Sequence, residues 1–198
     1  MTEYAQIYST VPEGLLKLLD DNLPYSLPLL RRIQFTKFEG GLTKTARIIL
    51  VSEHGDEGES SQRFSAAYLD IGGGPDTQMW VYSTVEKSSE PDAKEAIIYE
   101  RQLARLTDEA IGIAKEYNKE LAYPDAVLLG TIHDTTRALL AKTGRVEPRE
   151  TGAYDKWLFQ YQDIPNDETE LPEGMNWGTA NEDDCAVVVS RTNIPRTV

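Results

Sequence analysis

The spacing of apolar residues divides the chain into a series of elements. Phe64, Ala66 and Tyr68, then Met79 and Val81, recur at every second position, and Trp80, Tyr82 and Val85 add the bulky side chains that strands favour. Gly72, Gly73, Gly74, Pro75 and Asp76 lie between them, so residues 64–86 read as a hairpin at the centre of a sheet. Upstream, Leu15, Leu16, Leu18 and Leu19 follow Pro12 on a short helix that stops near Asp21 or Asn22. Pro24 and Pro28 bracket a second short segment over 25–30, giving two helices with a bend. Ile33 and Phe35 alternate in a predicted strand over 33–38, and Gly40 and Gly41 mark a turn. Residues 45–52 predict an interior strand, with Ala46, Ile48 and Leu50 on one face and Ile49 and Val51 on the other.

Downstream of the hairpin the period changes. Ala96, Ile97, Leu103, Leu106, Ala110, Ile113, Ala114 and Tyr117 return at intervals of three and four, which predicts a long helix over 89–118. Ser89 is its expected cap, with Pro91 and Asp92 in the first turn. The apolar run 126–132 predicts a strand buried on both faces, and 135–142 a short helix capped by Asp134 and stopped at Gly144. Residues 154–161 predict a last strand, and 181–190 a helix capped by Asn181. The order implies an α/β fold: a mixed sheet built on an antiparallel meander, with helices on both faces. One domain is expected over 1–163, followed by an acidic linker and tail over 164–198.

Charge narrows the partners. The net charge of −13 over 198 residues argues against nucleic acid and anionic membrane surfaces, whose phosphates attract Lys and Arg. No run of apolar residues approaches the roughly 20 needed to span a bilayer, and the first residues lack a leader pattern, so a cytoplasmic protein is expected. Cys185 is the single cysteine and His54 and His133 are the two histidines, so no metal motif can be assembled. Cys185 is expected to be a small buried or half-buried hydrophobe.

Several residues are candidates for chemistry. His133 follows a predicted buried strand, where α/β proteins place ligands, and an imidazole there can accept a proton near neutral pH or serve structure alone. Arg31 and Arg32 are either a solvated pair at the start of a strand or an anion and carboxylate site. Trp80, Tyr82 and Trp157 line a cleft or belong to the core. Gly72–Gly74 lies between two strands and reads as a hairpin turn rather than a phosphate loop.

The order of elements resembles the GNAT acyltransferase fold. The segments LPYSLPLLRRIQF (23–35), AYLDIGGGPDTQMW (67–80), LGTIHD (129–134), YDKWLF (154–159) and SRTNIPR (190–196) resemble the N-terminal half of fungal proteins related to the glycine N-acyltransferase-like family. The resemblance implies transfer of an acyl group from acyl-CoA, as cosubstrate, to a small-molecule amine. It implies no covalently bound cofactor, a base such as His133 and an acid such as Tyr154. It also makes SRTNIPR the start of a second, C-terminal module. In place of the family's pyrophosphate loop, Arg/Gln-x-x-Gly-x-Gly/Ala, this chain has VEKSSEPD (85–92), which contains no glycine and three acids. That departure opens an alternative: a non-catalytic lobe that binds a small molecule, a second copy or a partner acyltransferase subunit.

Overall fold

The computed structural model describes residues 3–53, 63–72, 77–88, 90–117, 126–147, 162, 171–176 and 178–191. The chain divides into two compact units, Met1–Glu150 and Thr151–Val198. The first holds an open antiparallel sheet in the order β1 (Tyr4–Tyr8), β2 (Ala46–Ser52), β3 (Phe64–Asp70), β4 (Met79–Ser83). Helices α1 (Glu13–Asp20) and α2 (Leu27–Phe35) separate β1 from β2; a 3₁₀ turn (Thr84–Lys87), α3 (Ala93–Glu116) and α4 (Asp134–Lys142) follow β4. This is the mixed α/β architecture that the order of elements implies.

Each face of the sheet carries its own core. Ile49 and Val51 of β2, Ala67 and Leu69 of β3 and Met79 and Val81 of β4 point to the α3 and α4 side, where they pack on Leu103, Leu106, Leu139 and Leu140. The intervening residues Ala46, Ile48, Phe64, Ala66, Tyr68 and Tyr82 face Leu15 and Leu19 of α1 and Leu29, Leu30 and Ile33 of α2. All seven residues of β3 are buried, as an interior strand covered on both faces requires. The register sets Tyr68 opposite Trp80, and Tyr82, opposite Ala66, packs edge-on against Phe64.

The sequence reading misplaces several elements. Residues 33–35 close helix α2, and Thr36 to Phe38 turn rather than extend, so the strand expected over 33–38 does not form. Ile33 belongs with Leu29 and Leu30 at helical spacing, all three buried, and the Thr36 hydroxyl donates to the Ile33 carbonyl. Arg31 and Arg32 therefore ride on a helix. The strand pairing with β2 on that side is β1, which the alternation reading passed over. Residues 126–132 meet β4 in a single parallel bridge, Met79↔Leu129, instead of a full strand. Helix α3 begins at Ala93, capped by Asp92 rather than Ser89, and Ile97 is 49% exposed while Tyr99 and Gln102 take buried places.

In the second unit, α5 (Glu182–Ser190) forms as expected. The Asn181 side chain accepts from the Asp183 and Asp184 N–H groups, and the Asp184 carboxylate accepts from the Asn181 N–H. Cys185 is exposed on this helix rather than buried. The strand expected over 154–161, with Tyr154 and Trp157, lies outside the described residues, as do His54 and residues 73–76. No helix among the described residues is long and apolar enough to cross a membrane.

Candidate functional site

The outer edge of β4 organises the candidate site. Gln78 and Met79 both donate backbone N–H groups to the Leu128 carbonyl, at 2.9 and 3.1 Å, and the Gly130 N–H returns to the Met79 carbonyl at 3.1 Å. The buried Gln78 side chain completes the joint. Its Oε1 accepts from the Leu128 N–H at 3.1 Å and its Nε2 donates to the Ile71 carbonyl. Glycine suits position 130, because a Cβ would lie 2.6–2.7 Å from the Thr77 side chain, which would have to shift. One residue later Thr131 adopts φ +55°, a conformation that a β-branched residue rarely takes. That turn ends the pairing, so β4 and the following segment part just beyond Met79.

The segment then reaches α4 at His133. The His133 Nδ1 accepts from the Thr135 N–H at 3.3 Å, so His133, not Asp134, caps the helix. In the neutral imidazole this places the ring proton on Nε2. The exposed His133 ring meets Tyr25 edge to face, with centroids 6.3 Å apart. Asp134 is the first helical residue and pairs with Arg137.

The aromatic candidates on β4 divide between two environments. Tyr82 is buried and its hydroxyl donates to the Asn22 Oδ1 at 3.1 Å. Burial, with the nearby Glu86 charge adding, pushes the Tyr82 hydroxyl far above the ordinary tyrosine range, which suits a core residue and not a proton donor. Trp80 is half-buried and packs edge-on against Tyr68. The Arg32 guanidinium lies 4.9 Å from the Trp80 ring centroid, so the structure brings these two expected site residues together. Arg31 is exposed and, among the described residues, hydrogen-bonds Gln34.

The region between β4 and α3 is closed by acids. The Asp92 carboxylate accepts from the N–H groups of Lys94 and Glu95, at 2.8 and 2.9 Å. Glu86, buried in the 3₁₀ turn, accepts from the Ser83 N–H at 3.2 Å and from the Thr136 hydroxyl at 2.8 Å. A coenzyme A diphosphate needs free N–H groups and positive charge at such a position. These residues do not fit one. The sequence offers a signal for both acids: Ser83-Thr-Val-Glu86 has the spacing of a capping box, and Asp92 stands at the N-cap of α3. Gln78, Tyr25 and the backbone of Thr131 carry no comparable signal, because their roles arise from tertiary placement. A shallow groove between α3 and α4, lined by Ile97, Arg101, Ala104 and the Glu100–Lys142 ion pair, contains none of the expected site residues. Among the described residues no cluster of His, Cys, Asp and Glu could hold a metal ion.

Comparison with known proteins gives one family. No curated protein and no solved structure matches the chain. A family model described as the acyl-CoA N-acyltransferase verG N-terminal domain matches residues 4–157. That span begins at β1 and takes in the whole sheet and helices α1 to α4, so the chain belongs to the family of acyl-CoA N-acyltransferase verG N-terminal domains.

Proposed function

We propose that the chain serves an acyl-CoA-dependent N-acyltransferase whose acceptor is the amine of a small molecule. Membership of the family over residues 4–157 carries this reading. In the overall reaction the amine nitrogen bonds to the thioester carbonyl carbon and the carbon–sulfur bond breaks. The amine loses one proton and the departing thiolate gains one. His133 is the proposed proton acceptor and Tyr154 the proposed donor, with Trp80, Trp157, Arg31 and Arg32 as proposed walls and anchors for the substrate. Acceptance at the His133 Nε2 requires the ring proton to move to Nδ1, which releases the 3.3 Å bond from Thr135. On this reading the protein works in the cytoplasm.

The test is incubation of the purified chain with acetyl-CoA or a longer acyl-CoA and a panel of small amines, read by mass spectrometry. Amide product that falls at least about tenfold in His133→Gln supports the assignment. Absence of amide with every pair removes it for this chain.

The occupied N-terminus of α3 favours a second reading, in which the chain is a non-catalytic lobe beside a subunit that holds the acyl-CoA. Co-purification with a complete acyltransferase, and amide formation only in its presence, supports this reading over the first.

A further inference from the structure

We infer that this lobe takes no grip on the diphosphate of an acyl-CoA. The inference rests on the acyltransferase reading for the identity of the ligand, and on two carboxylates for its content. Helix α3 runs for 24 residues, long enough for its N-terminus to attract an anion. That anion is already present and covalently supplied, since the Asp92 Oδ1 takes the N–H groups of both Lys94 and Glu95. The neighbouring turn repeats the arrangement. The Ser83 N–H is held by Glu86, whose carboxylate is buried and pinned from α4 by Thr136. A diphosphate approaching these N–H groups meets two like charges at close range, on a chain of net charge −13. The lobe therefore distinguishes poorly between acyl-CoA and an acyl-pantetheine thioester that lacks the phosphorylated nucleotide.

The experiment is isothermal titration of the full chain with coenzyme A and with pantetheine, at ionic strengths of about 0.05 M and 0.3 M. The expected result is affinities within about threefold of each other at both salts, or no heat from either ligand. Coenzyme A binding at least about tenfold tighter than pantetheine, with the gap shrinking as salt rises, overturns the inference. Amide formation from acetyl-CoA and from acetyl-pantetheine is followed separately. Product from acetyl-CoA alone removes this inference and leaves the acyltransferase reading standing. No product from either removes the acyltransferase reading and leaves the binding comparison to decide this one.

Discussion

The Arg32 guanidinium lies 4.3 Å from the centroid of the Tyr68 ring and donates through Nη2 to the Tyr68 hydroxyl at 2.7 Å. Trp80 and Phe35 complete an aromatic surround at 4.9 and 5.5 Å. The cation is thus held by ring faces and one phenol, and its Nε is buried without a hydrogen-bond partner among the described residues. Stacking and the hydrogen bond together outweigh that orphaned donor. Arg32→Met should cost about 1–2 kcal/mol in urea unfolding, and Arg32→Lys, which loses the planar fork, should fall between it and the wild type. Equal stability of all three would show that the stack contributes nothing.

Glu86 satisfies two donors on different elements, so its removal should cost more than a surface acid. Glu86→Ala leaves the Ser83 N–H and the Thr136 hydroxyl without it and should destabilise by about 2–3 kcal/mol. Glu86→Gln keeps one acceptor oxygen and should cost roughly half as much. The difference between the two variants, measured by denaturant midpoint at unchanged slope, is the diagnostic quantity.

Asp92 offers a milder test on the surface. Asp92→Ala should destabilise by about 1 kcal/mol through loss of the cap, and Asp92→Ser by less than half of that. A loss confined to hydrogen-exchange protection in the first turns of α3 would match its position.

Three buried tyrosines set an alkaline limit. Burial pushes the hydroxyls of Tyr68, Tyr82 and Tyr99 above their ordinary value of 10.0, in Tyr82 most of all. A raised folded-state value means that the unfolded chain ionises first. Their contribution is therefore complete below pH 10 and is lost as pH rises from there toward the folded-state values. Unfolding followed by far-ultraviolet circular dichroism should coincide with a cooperative rise in tyrosinate absorbance above about pH 10. Non-cooperative titration of every tyrosine near pH 10 would contradict the burial.

Adjacent residues on the segment beside β4 should respond in opposite directions. Gly130→Ala drives a methyl group into Thr77 and should cost about 1–3 kcal/mol. Thr131→Gly relieves the φ of +55° but adds chain entropy to the unfolded state, for a net gain of about 0.5 kcal/mol. Thermal melts of the two variants against the wild type check the signs.

Legibility followed the kind of force that shapes each element. Strands β2, β3 and β4 and helices α1, α3, α4 and α5 announce themselves through periodicity, because burial on defined faces fixes which positions are apolar. Alternation failed at Ile33 and Phe35, where two apolar residues at odd positions mimic a strand while Leu29, Leu30 and Ile33 form a helical stripe. The continuous apolar run over 126–132 likewise suggests a full strand, whereas only Leu129 bridges to β4 before the backbone turns at Thr131. At the candidate site, the juxtaposition of Arg32 with Trp80 crosses from a helix to a strand and is invisible to spacing. Glu86 is readable as the third position of a capping box and Asp92 as a helix cap, and both stand where a diphosphate loop would need free N–H groups.

Strand β1 carries a consequence for synthesis of the chain. Every one of its strand pairs is with β2, so during synthesis it has no strand partner until α1, α2 and β2 have all been made. Until then Tyr4–Tyr8 is a short apolar ribbon available to neighbouring nascent chains, with Tyr4 and Ile7 remaining half exposed even after folding.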